Sequence, residues 1–276
     1  MLLIDFDAKF MEYTAKWLQK NRSRFKNEDE MEAHMPEMYM EWLNAPADWL
    51  GGVAPGLYFA SYTDAKQLID WMREYEDAGI SVPDQLLERI VELEDNAIEP
   101  LLSLAKDESA SEHVRVMAVN MLLQLGTKAP ISFCLDVIDR RAEEDTLADA
   151  CAELLEALSL QAIRPILERI DRANELAKET YIDLLCNFPG DERVYTHALH
   201  GFLNVPAKRA LYASYLAKLG DRRAEPHLRK ALSSLDINYL DYLEIKGAIE
   251  ALGGEEIPAD FRSFDGDPYF ESMKRL

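Results

Sequence analysis

Three cysteines in 276 residues are too few, and too far apart, to form a disulfide or zinc framework. Cys134, Cys151 and Cys186 lie in apolar stretches, which predicts buried thiols in a reducing compartment and favours the cytoplasm. No apolar run approaches the roughly 20 residues that span a bilayer, and Asp5 comes too early for a signal peptide. The sequence therefore predicts a soluble cytoplasmic protein without a membrane partner.

Motifs that carry catalytic or cofactor chemistry are also missing. The sequence has no glycine loop followed by Lys-Ser or Lys-Thr, no His-Glu-x-x-His, no Cys-x-x-Cys and no Gly-x-Ser-x-Gly. Asp265, Gly266 and Asp267 lack the ligand spacing of a calcium loop and are typical of a turn. We therefore expect no metal, no cofactor and no catalytic residue.

Basic residues are scarce, since 30 Lys and Arg oppose 51 Asp and Glu, for a net charge of −21. The excess is greatest in the first 96 residues, which contain 20 acidic and nine basic side chains. Such a field repels phosphate backbones and anionic lipids, so we expect no nucleic-acid binding at physiological salt. Two interpretations of the acidity stay open: it keeps the protein soluble, or it serves a basic partner.

What the sequence does have is a repeat. About every 32 residues between Ile90 and Gly254, one helical pattern ends in a short apolar stop and a second begins. Apolar residues three, four, seven and eight positions before each stop share one helical face. The period predicts stacked helix pairs, none of which can bury its apolar face alone. The stops are Leu125-Gly126, Leu158-Ser159, Phe188-Pro189, Leu219-Gly220 and Leu252-Gly253.

One repeat carries a recognisable motif. Val114 and Arg115 are followed by Ala118, Leu122, Leu125 and Gly126, and then by Ala129-Pro130-Ile131. This string resembles the HEAT-like repeat of the phycobilin-lyase type, with weaker copies at 147–171 and 207–232. The resemblance implies an all-α, α–α superhelix whose second helices line a concave surface. It specifies packing and says little about chemistry.

The resemblance covers residues 82–254 and suggests three parts. Residues 1–81 are expected to form an N-terminal helical cap, with helices near 5–20, 28–43 and 64–78 and a long loop at 45–63. Residues 82–254 form the repeat solenoid. Residues 255–276 form a tail that packs on the last repeat through Phe261, Phe264, Tyr269 and Phe270.

Two groups of residues are candidate partner contacts. Matching repeat positions place Arg193, His197 and His200 in register with Arg223, His227 and Lys230, which predicts a local cationic cluster for an acidic ligand or peptide. Histidines there would strengthen binding as pH falls towards 6. Alternatively, His197 and His200 are half-buried and hydrogen-bonded to carbonyls. Trp49, Tyr58 and Phe59 of the long loop are candidate recognition anchors, or pin the loop to the body.

The leading functional hypothesis is a non-enzymatic protein–protein interaction scaffold that holds its partner on the concave face. A second class is a HEAT-like enzyme of the DNA glycosylase or bilin lyase type. The net charge argues against the glycosylase, and no reactive centre supports the lyase. A third hypothesis is an acidic mimic of nucleic acid that occupies a basic protein.

Overall fold

The computed structural model describes residues 3–254, 257 and 262–275, and these form sixteen α-helices and no strand. The predicted all-α class is therefore confirmed. Contacts divide the chain into two compact units: unit 1 comprises residues 1–133 and 149–157, and unit 2 comprises 134–148 and 158–276. The boundaries predicted at residues 82 and 255 stay predictions. No helix in the described ranges has both the length and the apolar character needed to cross a membrane.

The first four helices of unit 1 correspond to the three helices expected before the repeats. Asp5, Asn27 and Asp64 cap three of them by accepting backbone N–H groups. The helix predicted over 28–43 is interrupted at His34, because Pro36 has no N–H to donate and favours the first turn of a new helix. The bounds are α1 Phe6–Asn21, α2 Glu28–Ala33, α3 Met35–Asn44 and α4 Ala65–Asp77.

Further helices follow along the rest of the chain, up to α15 with the spacing that the repeat predicts, and α16 lies in the tail. They are α5 Asp84–Glu92, α6 Asp95–Lys106, α7 Glu112–Gln124, α8 Ile131–Asp139, α9 Thr146–Leu158, α10 Leu160–Leu167, α11 Glu175–Leu185, α12 Glu192–Asn204, α13 Arg209–Leu219, α14 Glu225–Leu232, α15 Tyr239–Ala251 and α16 Pro268–Met273. Within unit 1, α6 packs on α4 and α7. Within unit 2, α13 packs on α12 and α15, and α14 packs on α15.

Glycine ends three of these helices at the predicted stops. Gly126, Gly220 and Gly253 have φ of 61°, 68° and 67°, in the left-handed region where a side chain with a Cβ is strained. Each glycine turns the chain out of the helix that it ends. The Leu-Gly pattern in the sequence therefore marks real helix ends.

Each unit has its own apolar core, built from the stripes that the period predicts. Leu122 in unit 1 and Leu185 in unit 2 are 0% and 1% exposed. The three cysteines are buried and free, as their apolar surroundings predict. In the tail, the rings of Phe264 and Phe270 lie 4.9 and 4.7 Å from that of Tyr239 on α15. Phe261 lies outside the described residues.

Unit 2 also contains a buried polar contact between α11 and α8. The Tyr181 ring is fully buried, and its hydroxyl lies 2.8 Å from Asp139 Oδ1 and 3.2 Å from the Leu135 carbonyl oxygen. Burial, together with this bond to Asp139, raises the pKa of the Tyr181 hydroxyl. The hydroxyl therefore stays protonated and donates.

Tyr181→Phe should lower the free energy of unfolding of unit 2 by about 1–2 kcal/mol, because the buried hydrogen bond from the hydroxyl to Asp139 is lost. Urea unfolding followed by circular dichroism measures the change. Tyr269→Phe is the control, since Tyr269 is 40% exposed, and it should change stability by less than about 0.5 kcal/mol. Equal effects of the two substitutions would contradict a structural role for the Tyr181 hydroxyl.

Candidate interaction surfaces

The six residues predicted as a cationic cluster all belong to unit 2, and we call them the second-helix cluster. Three lie on α12, one in the 3₁₀ turn Arg222–Ala224, and two on α14. His200, Arg223 and Lys230 are exposed, whereas Arg193, His197 and His227 are half-buried.

Both arginines of this cluster are held by an aspartate two residues earlier. Asp191 caps α12 by accepting the Arg193 backbone N–H, and its carboxylate also accepts from the guanidinium at 2.9 and 2.7 Å. Asp221 makes the same contacts with Arg223. These hydrogen bonds hold the pKa of both aspartates below the ordinary value. Asp-x-Arg is therefore a local structural unit that the repeat uses twice.

Each arginine also bonds to the preceding second helix. Arg193 Nη1 donates to the carbonyl oxygen of Leu167, the last residue of α10, at 2.6 Å. Arg223 donates to both carboxylate oxygens of Glu192 on α12, at 3.0 and 2.7 Å, and lies 4.4 Å from the centroid of the Tyr195 ring. The two guanidinium groups therefore link successive repeats.

The histidine on α12 is engaged as well, since His197 Nε2 lies 2.8 Å from Asp171 Oδ1. His197 is half-buried, but its partner is a carboxylate and not the carbonyl of the alternative, and His200 is exposed. Nearby carboxylates oppose the cations, which reduces the local reversal of sign that the register suggested. They are Asp171, Asp191, Glu192 and Asp221. A pH-dependent partner site at the second-helix cluster stays a prediction.

The second candidate surface is the loop at 45–63 of unit 1, which we call the apolar loop. No Asp, Glu, Lys or Arg lies between Asp48 and Asp64. The loop folds on itself: the Ala47 N–H donates to the Val53 carbonyl oxygen at 3.2 Å, and the Gly52 N–H donates to the Ala47 carbonyl oxygen at 3.0 Å. These bonds give the loop a defined backbone.

Aromatic rings fix the apolar loop to the body of unit 1. Phe6 of α1 is 4% exposed, and its ring centroid lies 5.9 Å from Trp49 and 5.8 Å from both Tyr58 and Phe59. Phe59 has no exposed surface, so its ring acts in packing and cannot contact a partner in this conformation. Tyr58 is half-buried by the same contacts. Of the three predicted anchors, only Trp49 is well exposed.

The outer side of the apolar loop is exposed although it is apolar. Trp49, Val53 and Leu57 are 40%, 43% and 63% exposed. Val53 and Leu57 were not among the predicted anchors, because that prediction rested on aromatic residues alone. The absence of charge over 49–63, in a chain this acidic, is the signal that finds them. Exposed apolar side chains grouped on one loop are a candidate interaction site.

Sequence reasoning also overlooked a basic segment in unit 1. Five of the nine basic residues in positions 1–96 fall within residues 16–26, where no acidic residue occurs. The net charge of residues 1–96 is negative, and a total over the whole range does not show that the basic residues are grouped. The segment covers the C-terminal half of α1 and the 3₁₀ turn that follows it, Arg22–Arg24.

Comparison with known proteins gives little further guidance. No family model and no curated protein matches the chain. A solved structure to which it is similar is human deoxyhypusine hydroxylase in complex with glycerol, with 15% identity over 69% of this chain and 87% of that one. The TM-score of 0.28 is too low to transfer fold or activity. The all-α class therefore rests on the helices themselves.

Proposed function

We propose that the chain is a non-enzymatic protein-binding scaffold whose main contact is the apolar loop. The observation that carries this proposal is the exposure of Trp49, Val53 and Leu57 on a loop whose backbone is already fixed. A preorganised loop loses little conformational entropy on binding, and aromatic or aliphatic anchors of this kind supply most of the energy of an interface. The HEAT-like resemblance of residues 82–254 supports the same class, since repeat stacks present extended binding surfaces.

The charge of the chain specifies the partner's chemistry. Asp48 lies near the start of the apolar loop, Asp64 follows its end, and the whole chain has a net charge of −21. A partner with an apolar pocket and a basic rim is therefore complementary. The negative charge of the chain attracts the basic rim, while the pocket buries the apolar side chains of the loop. Apolar burial resists salt, whereas rim charges are screened. The complex should consequently form faster at low salt and persist at high salt.

The double variant Val53→Ser/Leu57→Ser tests this proposal. Both side chains point outwards, so the variant should fold normally. Immobilised wild-type protein should retain its partner from an extract of the source cells through a wash at about 1 M salt, where the Debye length is about 3 Å. The variant should retain at least about tenfold less of that partner, measured by quantitative mass spectrometry.

Met11→Ser/Leu235→Ser provides the matched control. These side chains are 72% and 90% exposed and lie outside residues 45–63, so the control removes at least as much exposed apolar surface that does not belong to the loop. It should retain the partner as the wild type does. Equal retention by both double variants, or equal loss, would mean that the apolar loop is not the contact.

A further inference from the structure

The basic segment is a stretch of this acidic chain in which the sign of the charge reverses. No acidic residue lies between Glu12 and Glu28, whereas five basic residues do. They are Lys16, Lys20, Arg22, Arg24 and Lys26. Cations at the end of α1 complement its macrodipole, but that dipole amounts to only about half a charge. Most of the positive charge is therefore not accounted for by helix stability.

These side chains differ from Arg193 and Arg223 of the second-helix cluster, which are held by carboxylates. All five are exposed, and within the described parts of the chain Lys16, Lys20, Arg22 and Arg24 form no ion pair. Lys26 Nζ lies 3.8 Å from Glu30 Oε1, at the long end of an ion pair, and Lys26 is 88% exposed. The segment thus presents cations that the fold does not use.

A groove of about 540 Å³ lies directly beside these cations, between the end of α1 and the start of α2. Arg22 and Lys26 are on its polar side, together with the amides Gln19 and Asn27 and the carboxylate of Glu28. Its apolar side is formed by Ala15, Leu18, Phe25 and Met31. The volume is in the range of known ligand sites.

The apolar side of the groove is anchored by ring packing. The Phe25 ring centroid lies 5.9 Å from Trp17 and 5.6 Å from His34, and the rings of Trp17 and His34 are 5.3 Å apart. These contacts join the 3₁₀ turn to α1 and to the residue between α2 and α3. The Phe25 ring of the groove is therefore held in place next to exposed cationic side chains.

We propose that this basic groove binds an acidic, amphipathic protein segment. Arg22 and Lys26 pair with its carboxylates, while one or two of its apolar side chains pack on Leu18, Phe25 and Met31. A nucleic acid or an anionic bilayer fits less well, because a long polyanion extends beyond the basic segment into the field of a chain with net charge −21. A short segment stays within a Debye length, about 8 Å, of Arg22 and Lys26. This site is separate from the apolar loop and takes a partner of opposite charge.

The probe is a fluorescein-labelled synthetic peptide in which Asp and Glu alternate with Leu and Phe, titrated with the full chain at low salt and followed by anisotropy. Saturable binding is expected, and affinity should fall as salt is raised. Arg22→Gln/Lys26→Gln should weaken binding about tenfold. Met31→Gln, which keeps every charge, should weaken it several-fold by removing apolar contact. Circular dichroism and thermal unfolding establish that the variants are folded.

Lys106→Gln/Lys128→Gln is the matched control, because it makes the same change in net charge at exposed positions away from the groove. It should bind the peptide like the wild type. A peptide with Asn and Gln in place of the acids should not bind. The proposal is overturned if the two double variants weaken binding equally, if the wild type does not bind, or if a single-stranded oligonucleotide or phosphatidylglycerol vesicles bind the groove more tightly than the peptide.

Discussion

Leu122→Ala and Leu185→Ala are each expected to lower the free energy of unfolding by about 2–5 kcal/mol. Both side chains lie at the predicted central position of a first helix, α7 in unit 1 and α11 in unit 2, and neither has more than 1% of its surface exposed. Truncation removes buried apolar surface and leaves a cavity that the packed helices close only in part. Urea unfolding of each variant measures the effect.

Glu143→Ala is the control for these substitutions. Glu143 is exposed in the connector between α8 and α9, so its replacement should change stability by less than about 0.5 kcal/mol. Because the two leucines belong to different units, separate unfolding transitions would assign each loss to its own unit. Neutral leucine variants would mean that the register of the repeat is wrong.

Gly201→Ala is expected to destabilise unit 2 by about 1–3 kcal/mol, although alanine is the better helix former. Gly201 lies in α12 where the helix meets α13, and a Cβ built there would be 2.2 Å from two carbons of the Tyr212 ring. Tyr212 is 5% exposed, so the ring has little room to move aside. The close approach of the two helices therefore requires glycine.

Gly247→Ala is the matched control, and it should have the opposite sign. Gly247 also lies inside a helix, α15, but nothing is within 4 Å of a Cβ at that position. Alanine there should raise stability by about 0.5–1 kcal/mol, because it restricts the unfolded chain and favours the helix. Stabilisation by both substitutions would contradict the packing of α12 on α13.

The fold was predictable from the sequence wherever one local signal set the structure. The Leu-Gly stops mark helix ends because left-handed backbone favours glycine whatever the tertiary contacts. Pro36 shows the limit of periodicity. The apolar pattern continues past this residue, but the helical hydrogen bonds do not, because proline has no N–H. Gly201 has no signal at all in one sequence, because its reason is a ring on another helix.

The candidate sites were predicted less well, because repeat register gives position but not partners. Register placed Arg193 and Arg223 at matching positions, yet their function as links between repeats depends on Asp191, Asp221 and Glu192. An aspartate two residues before an arginine at a helix start is a signal that would have suggested this pairing. Likewise, Phe59 is buried and Leu57 is exposed because of the way the loop packs on Phe6. The pattern of apolar and polar residues in the loop does not predict this packing.

The most direct test of the scaffold proposal is site-specific photo-cross-linking from the apolar loop. A benzophenone amino acid is introduced in place of Leu57, and in a second protein in place of Leu235, which is even more exposed but lies in unit 2. Each protein is irradiated in source-cell extract at about 1 M salt, and cross-linked products are identified by mass spectrometry. We predict one discrete partner joined at position 57 and absent at position 235. The same products from both positions, or products from 235 alone, would contradict the proposal.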